Sequence, residues 1–289
     1  MAAPLDPRLT PARPDLAAAR LRGIVAAPRY AEGRDMQVVE ANAPLRRAPR
    51  GDAPLETEAL HGEGVTVYDE AEGWAWAQLA RDNYVGYLPV AALGPPVEPT
   101  RQVVALRTHA YPGPGVKLPP VMALSLGARL AIVRQEGAFA VTRGGLHLWA
   151  RHVAPLDFRE PDFVAVAERF LETPYLWGGR TSEGIDCSGL VQTALAAAGI
   201  GAPRDSDMQE AALGAVLSPD AELRRGDLVF WKGHVGIMRD AATLLHANGW
   251  HMRVASEPLN EARARIAASG GGANGTPKNS QSLMVYSLP

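Results

Sequence analysis

The spacing of apolar positions predicts two amphipathic helices in the C-terminal half of the chain. Apolar residues recur at steps of three and four from Cys187 to Ala198, and Gly199 follows as a stop signal. A similar pattern begins after Asp162, which is a helix-capping residue type, and continues to Leu171. We therefore expect a helix over each segment, with one buried face.

Alternation of apolar and polar residues predicts strands in the first half of the chain. The runs lie at 36–39, 65–68, 74–79 and 84–89, and a second set lies at 126–133, 138–142 and 148–150. A proline-rich linker at 95–99 separates the sets. The pattern predicts two small β-barrels, over 34–95 and 99–157, and the alternative to this pair is one divergent β domain. Residues 1–33 are expected to be helical or extended, with a short helix at 14–21.

Three further strands are predicted between residues 226 and 248. Two apolar runs flank a Lys-Gly turn and form a hairpin, whose second strand begins at His234. The third run, 243–248, contains His246. Antiparallel pairing would place both imidazoles on one face of a sheet. A glycine-rich mobile loop is predicted at 270–275, and the run at 282–288 is expected to close the sheet.

Composition narrows the classes of protein that the chain can represent. With 289 residues, 47% hydrophobic content and a net charge of −2, it is long and apolar enough for two or three folded domains. No cluster of basic residues interleaved with aromatics favours nucleic acid or a membrane surface as a partner. The N-terminus lacks the apolar core of a signal peptide, so we expect a cytoplasmic protein.

One cysteine in the whole chain excludes an intramolecular disulfide, and no motif with metal-ligand spacing is present. We therefore expect neither a metal nor another cofactor. Cys187 lies at the predicted start of a helix, where unpaired N–H groups and the helix dipole stabilise a thiolate and lower the thiol pKa. It is a candidate nucleophile, and the alternative is a small core residue. His234 is the candidate base, and His246 and His251 compete for the position that orients it.

Six motifs in order resemble the NlpC family of bacterial cell-wall cysteine peptidases, which have a papain-like fold. They are YLWGG at 175–179, DCSGLV at 186–191, PRDSDMQ at 203–209, GDLVF at 226–230, HVGI at 234–237 and LHA at 245–247. Through Trp74 and the YVGYLP run at 84–89, the first barrel also resembles a bacterial SH3-type domain, and the second does so weakly.

The resemblance implies an α+β chain in which two SH3-like β-barrels precede a papain-like catalytic domain at 160–289. The nucleophile would stand at a helix N-terminus packed on an antiparallel sheet. In this family Cys187 corresponds to the nucleophile, His234 to the general base and acid, and His246 to the residue that orients His234. Tyr175 would donate its hydroxyl to the oxyanion, together with the N–H of Cys187.

The family resemblance also implies a set of substrate-binding residues. Asp186 would bind a substrate amine and could also cap the helix. Ser188 and Ser206 would bind a carboxylate, while Arg204 either lines the pocket or forms a structural salt bridge. Trp177 either contacts the substrate or packs as an ordinary aromatic residue.

Relatives with this domain order place a glutamate and a tyrosine of the first SH3-type domain in the amine pocket. The nearest matches are Glu63 and Tyr84. For Glu63 the alternative is a solvated turn residue, and for Tyr84 it is a core aromatic.

The function implied is a cysteine endopeptidase that cleaves after γ-D-glutamate in cell-wall peptides, in particular free L-Ala-γ-D-Glu-diamino acid peptides during murein recycling. Its partner would be a small peptide derived from peptidoglycan. Two alternatives stay open, a wall-binding or adaptor module and another thiol acyltransferase or amidase that uses the same triad. A broad apolar cleft would favour the last of these.

Overall fold

The computed structural model describes residues 5–218, 220–268 and 284–288. The chain divides into two compact units, residues 1–158 and 159–289. Among the described residues, no helix has both the length and the apolar character needed to cross a membrane.

The first unit consists of short strands and single turns of 3-10 helix. Its strands are β1 (Ala12–Arg13), β2 (Leu16–Ala18), β3 (Arg29–Ala31), β4 (Arg34–Val38), β5 (Asn42–Arg46), β6 (Leu55–Leu60), β7 (Gly64–Ala71), β8 (Trp74–Leu79), β9 (Val85–Pro89), β10 (Leu93–Gly94), β11 (Arg101–Val103), β12 (Arg107–Ala110), β13 (Met122–Ser125), β14 (Arg129–Leu130), β15 (Ile132–Glu136), β16 (Phe139–Thr142), β17 (His147–Trp149) and β18 (Val153–Pro155). The 3-10 turns are Ala19–Leu21, Val90–Ala92 and Ala150–His152.

A seven-stranded sheet in the order β10-β4-β7-β8-β9-β5-β6 forms the body of residues 34–94. The strands predicted at 36–39, 65–68, 74–79 and 84–89 are confirmed. A two-residue turn joins β7 to β8, with Ala71 paired to Trp74. Both turn residues, Glu72 and Gly73, have positive φ angles, which matches the twist of the flanking strands.

The short helix predicted at 14–21 is wrong. Pro14 and Asp15 form a two-residue turn between β1 and β2, and only the last turn, Ala19–Leu21, is helical, as 3-10. Strand β2 is fully buried and pairs in parallel with β3. Its side chains pack on Tyr68 and Trp76 of the barrel sheet, and this burial overrides the helix preference of the alanines.

The N-terminal segment is held against the barrel by backbone hydrogen bonds. The Val85 N–H donates to the Arg8 carbonyl at 2.8 Å, and Gln78 Nε2 donates to the Leu9 carbonyl at 2.8 Å. The guanidinium of Arg13 lies 4.8 Å from the ring centroid of Trp76. These contacts join the first residues of the chain to strands formed about seventy residues later.

Residues 101–155 form three small sheets, in the orders β14-β11-β18, β12-β13 and β15-β16-β17. The strands predicted near 138–142 and 148–150 are confirmed as β16 and β17. The single strand predicted at 126–133 is wrong, because Gly127 has a φ of +90° and the chain turns there before β14 and β15 begin. Buried aliphatic side chains, among them Leu124, Leu130 and Leu148, form the core.

The described residues of the second unit form four helices and a six-stranded antiparallel sheet. Its elements are α1 (Phe163–Glu168), β19 (Arg180–Thr181), β20 (Gly184–Ile185), α2 (Cys187–Ala197), α3 (Ser206–Ala212), β21 (Ala215–Val216), β22 (Leu228–Trp231), β23 (His234–Met238), β24 (Thr243–Asn248), β25 (Arg253–Pro258), α4 (Leu259–Ala268) and β26 (Met284–Ser287). The strand order of the large sheet is β21-β26-β22-β23-β24-β25. The predicted hairpin, the third strand and the closing strand are therefore confirmed, while the loop predicted at 270–275 lies outside the described residues.

Helix α2 is buried on all sides from Cys187 to Leu195, so the expectation of one buried face is wrong. It packs on α1, on α3 and on strands β23 and β24, which together leave none of its first nine residues exposed. Helix α1 begins at its predicted cap, since Asp162 Oδ1 accepts from the N–H groups of Val164 and Ala165. It ends at Glu168, earlier than predicted.

We predict that Gly189→Ala destabilises the second unit by about 2 kcal/mol, although alanine in a helix interior normally stabilises by about 1 kcal/mol. The reason is steric, because a Cβ at this position of α2 would overlap the carbonyl oxygen of Gly179. Urea unfolding measures the effect. Gly201→Ala is the matched control, since nothing lies within 4 Å of its Cβ position, and its stability should stay near that of the wild type. Equal stability of the two variants would contradict the packing.

Candidate active site

The thiol of Cys187 lies at the first residue of α2 and is almost completely buried, with 7% of the residue exposed. Asp186 caps the helix, and its Oδ1 accepts from the N–H of Gly189 at 2.7 Å. The backbone N–H groups of Val235 and Ser188 act on the sulfur. The thiol is therefore held between the start of α2 and the start of strand β23.

A buried ion pair fixes the segment around the thiol. Arg204 Nη2 lies 2.7 Å from Asp186 Oδ2, and Arg204 Nη1 lies 3.0 Å from Asp186 Oδ1. The same carboxylate accepts from the Gly178 N–H at 2.8 Å and from the Ser188 hydroxyl at 3.3 Å. With the Gly189 N–H, five donors surround a group that has about four lone-pair sites. For Arg204 the salt-bridge alternative matches this geometry.

Each of the two glycines of the YLWGG motif is required by a different structural constraint. Gly178 has a φ of +76° and donates to Asp186. A Cβ on Gly179 would lie 2.5 Å from the carbonyl oxygen of Gly184. The motif therefore allows a turn and a close backbone contact directly before the helix that carries the thiol.

His234 and His246 lie on one face of the antiparallel sheet, as predicted. Strands β23 and β24 pair with Ile237 opposite Leu245, and His234 Nε2 lies 2.8 Å from His246 Nδ1. A Cβ on Gly236 of β23 would lie 2.7 Å from Cδ1 of Leu244 and 3.3 Å from the Cβ of His246, both on β24. The glycine of the HVGI motif thus leaves room for the side chains of the neighbouring strand, chiefly Leu244.

A glutamate that the sequence analysis missed continues this chain of hydrogen bonds. Glu257 Oε1 lies 2.7 Å from His246 Nε2, and Arg265 Nη1 and Nη2 each lie 2.5 Å from one oxygen of Glu257. The available signal was the alternation of β25, the next strand along the chain, which places Glu257 on the face that carries His246. His251 bonds Asn248, at 3.1 Å, so His246 is the histidine that contacts His234.

Burial determines the resting protonation of the two reactive groups. It raises the pKa of Cys187 to about 12, with a further increase from the Asp186 charge, although Val235, Arg204 and Ser188 act in the opposite direction. The expected lowering of the thiol pKa is therefore wrong, because desolvation outweighs the helix terminus. Burial also lowers the pKa of His234 to about 3, helped by His246 and Arg265. At neutral pH the site holds a thiol and a neutral imidazole.

Tyr175 is half-buried beside this pair. Its N–H donates to the Met252 carbonyl at 2.9 Å, which fixes its backbone. Burial raises the pKa of Tyr175, and the neighbouring Cys187 and Asp186 raise it further, so the phenol keeps its proton and can donate a hydrogen bond. Trp177 is 54% exposed, which argues against the packing alternative and leaves the indole accessible.

The two serines differ in availability. The Ser188 hydroxyl is buried and accepts from Arg204 Nη1 at 2.8 Å while it donates to Asp186. Ser206 is the first residue of α3 and is half-buried. Of the two, Ser206 is therefore the more accessible to a ligand.

Glu63 and Tyr84 lie in the first unit, and both are buried. Glu63 is 4% exposed, accepts from the Leu60 N–H at 3.0 Å and pairs with Arg81 at 2.9 Å, so the solvated-turn alternative is wrong. Tyr84 is 2% exposed, as the core-aromatic alternative expects, and its hydroxyl lies 3.5 Å from Glu56.

These groups suit acyl transfer. A thiol, a neutral imidazole with one nitrogen turned to a second histidine, and a protonated phenol are respectively a nucleophile, a base and an oxyanion donor. The fold and the site together define a hydrolytic peptidase domain that follows an SH3-like domain.

Comparison with known families also indicates a peptidase domain that follows an SH3-like domain. Residues 45–93 match the bacterial dipeptidyl-peptidase Sh3 domain, and residues 172–266 match the NlpC/P60 family. The chain belongs to the NlpC/P60 family of peptidases.

Relatives match most of the chain. It is 36% identical over 236 residues to dipeptidyl-peptidase 6 of Lysinibacillus sphaericus, which covers 73% of this chain and 86% of the relative. It is 36% identical over 222 residues to the γ-D-glutamyl-L-lysine dipeptidyl-peptidase of Bacillus subtilis, with coverage of 68% and 73%. The crystal structure of an NlpC/P60 family protein from Bacillus cereus has the same fold, with a TM-score of 0.68, 23% identity, and coverage of 78% of this chain and 95% of that one.

We predict that iodoacetamide modifies Cys187 at a rate that rises about tenfold per pH unit from pH 6 to pH 10, because the raised pKa keeps the thiolate a small fraction throughout this range. Mass spectrometry of the intact protein gives the rate and a stoichiometry of one. Cys187→Ala is the control and should take up none. A rate that is constant between pH 5 and pH 8 would indicate a thiolate–imidazolium pair and contradict the neutral resting state.

Proposed function

We propose that the protein is a cysteine endopeptidase that hydrolyses the γ-D-glutamyl–diamino acid bond of free L-Ala-γ-D-Glu-diamino acid peptides. The observation that carries the proposal is the hydrogen-bonded pair of His234 on β23 and His246 on β24, next to Val235, whose N–H bonds to the buried thiol of Cys187. Membership in a peptidase family supports a hydrolytic role for this arrangement, and complete nucleophile and base residues argue against an adaptor module.

The chemistry proceeds by acyl transfer. His234 takes the proton of the Cys187 thiol as the sulfur bonds to the γ-carbonyl carbon of D-glutamate. The N–H of Cys187 and the hydroxyl of Tyr175 donate to the oxyanion, each contributing about 3 kcal/mol. The imidazolium then gives its proton to the departing amine of the diamino acid. Water, deprotonated by His234, attacks the thioester and releases L-Ala-γ-D-Glu.

The names of the relatives support the substrate class. Two of them, from Bacillus cereus and Bacillus subtilis, are γ-D-glutamyl-L-lysine dipeptidyl-peptidases. An enzyme that removes a dipeptide acts on a peptide with a free amino terminus. We therefore propose free peptides from peptidoglycan turnover as substrates and the cytoplasm as the place of action.

Binding of such a peptide would use groups at both of its ends. Asp186 is proposed to act on the L-alanine ammonium through its charge, and Ser188 and Ser206 are proposed to bind a carboxylate. For Glu63 and Tyr84 of the first unit, the family resemblance implies a role in recognition of an amine. The buried Asp186–Arg204 pair would act mainly by holding Asp186 in place. The exposed indole of Trp177 is available for contact with the peptide.

We also propose two finer points of architecture. The three small sheets of residues 101–155 are interpreted as a second, divergent SH3-type domain, and the second unit as a papain-like domain. Helix α2 on the antiparallel sheet, with the thiol at its N-terminus, supports the latter interpretation.

We predict that Cys187→Ala and His234→Ala each lower kcat on L-Ala-γ-D-Glu-L-lysine by at least about 10³-fold, and that His246→Ala lowers it about tenfold to a hundredfold because it acts through His234. Mass spectrometry of the released dipeptide measures turnover, and the assay is repeated with diaminopimelate in the third position. His251→Ala, which replaces a histidine without a bond to His234, is the control and should stay within about threefold of the wild type. Small and equal effects of all four substitutions would refute the triad.

We predict that the free peptide is cleaved at least about a hundredfold faster, in kcat/KM, than the same peptide capped by a muramyl group. A capped amine carries no charge, so it loses the attraction of the carboxylates that the free ammonium would gain. Glu63→Gln keeps the hydrogen bond from the Leu60 N–H, removes the charge, and should reduce this preference. Glu70→Gln, which removes an exposed ion pair of the same barrel with Arg34, is the matched control. Equal rates on free and capped peptides would refute the requirement for an amine.

A further inference from the structure

Three adjacent strands each contribute one side chain to a continuous row of hydrogen bonds. His234 on β23, His246 on β24 and Glu257 on β25 occupy the same face of the sheet, and their contacts measure 2.8 Å and 2.7 Å. Arg265 on α4 closes the row, with both terminal guanidinium nitrogens 2.5 Å from Glu257. The row starts at the proposed base and ends in an ion pair.

We propose that Glu257, clamped by Arg265, is a positioning residue that sets the tautomer of His234 through His246. This proposal rests on the proposed function for its effect on catalysis, but the tautomer itself can be measured independently. His246 is named above as the residue that orients His234, and Glu257 is the group that orients His246.

Charge determines the direction of every hydrogen bond in the row. Burial by itself would raise the pKa of Glu257, but the hydrogen bonds from Arg265 and His246 lower it to about 2, so Glu257 is a carboxylate and accepts. His246 must then carry its proton on Nε2. Burial lowers the pKa of His246, so the ring is neutral and its Nδ1 has no proton.

The same logic fixes His234. A bare Nδ1 on His246 accepts, so the proton of neutral His234 lies on Nε2. The nitrogen left without a proton is Nδ1 of His234, and only a bare nitrogen can take the proton of a thiol. A carboxylate two residues along the row therefore determines which nitrogen of His234 is the base.

Arg265, in addition to His246, keeps the carboxylate of Glu257 ionised and fixes its position. A guanidinium that binds both oxygens of a carboxylate fixes its plane as well as its charge. His246, His251 and Glu257 hold ligand atoms within 4.8 Å of one another, which is also a spacing that suits a metal ion. The guanidinium already neutralises Glu257, so the arrangement favours the hydrogen-bonded row over a cation.

The test compares two substitutions of Glu257 in the full chain. Glu257→Leu removes both the charge and the acceptor, whereas Glu257→Gln removes the charge and keeps an acceptor oxygen for His246. Nitrogen-15 NMR of the histidine rings reports the tautomers of His234 and His246, and steady-state kinetics on the free peptide reports kcat and KM. Glu168→Leu is the matched control for loss of a structural ion pair, because Glu168, the last residue of α1, pairs with Arg225 and Arg239.

We expect Glu257→Leu to lose the single tautomer of both rings and to lower kcat about a hundredfold or more, with KM within about twofold of the wild type. Glu257→Gln should retain the tautomers and recover part of kcat. Glu168→Leu should lower the melting temperature and leave the tautomers and kcat unchanged.

A Glu257→Leu protein that is only less stable, with unchanged tautomers, would overturn the proposal and make the ion pair an anchor for α4. If the wild type cleaves none of the peptides, the proposed function fails, and the NMR comparison still decides whether Glu257 sets the tautomer. Unchanged kcat with altered tautomers would also overturn the catalytic part of the proposal.

Discussion

The geometry of the site depends on the hydrogen bonds that the carboxylate of Asp186 accepts. This carboxylate receives donors from the turn at Gly178, from the first turn of α2 and from Arg204, so three segments between residues 178 and 204 meet at one group. Breaking a buried, hydrogen-bonded ion pair by removing one partner typically costs about 3–5 kcal/mol. Because Cys187 is the next residue, its position relative to the sheet follows directly from how firmly Asp186 is held.

Burial gives this site a resting state without charge on the thiol or on the base. The helix N-terminus favours a thiolate, but a completely enclosed sulfur loses more from lost hydration than it gains from the dipole. In the proposed mechanism, the proton of the thiol moves only when a substrate carbonyl accepts the electrons of sulfur. Such a site combines low reactivity toward solvent oxidants with a proposed base, His234, that is already in its neutral form.

Local sequence patterns predicted the elements around the thiol, because there the local and the tertiary preferences agree. The start of α2, the hairpin that carries His234 and the strand that carries His246 all follow from spacing and turn residues. Prediction failed where tertiary contacts decided the outcome. Leu16–Ala18 is extended because it fills a groove on Tyr68 and Trp76, and the alanines alone would favour a helix.

The same limit applies to the site. Motifs located the thiol, both histidines, Asp186 and Arg204, but no local pattern gives the pKa of Cys187, which depends on everything that excludes water from it. Glu257 was missed because its role comes from pairing in register across β24 and β25, and nothing in its own neighbourhood marks it.

The N-terminal segment, residues 8–18, packs against the barrel sheet, and this contact has a consequence for the order of folding. The Leu9 carbonyl accepts a hydrogen bond from Gln78, which lies 69 positions later in the chain, and the Arg8 carbonyl accepts one from the N–H of Val85. Synthesis runs from the N-terminus, so these residues leave the ribosome before strands β8 and β9, to which they bond. A segment made before the sheet thus docks after it, and the first barrel cannot be completed from either of its halves alone.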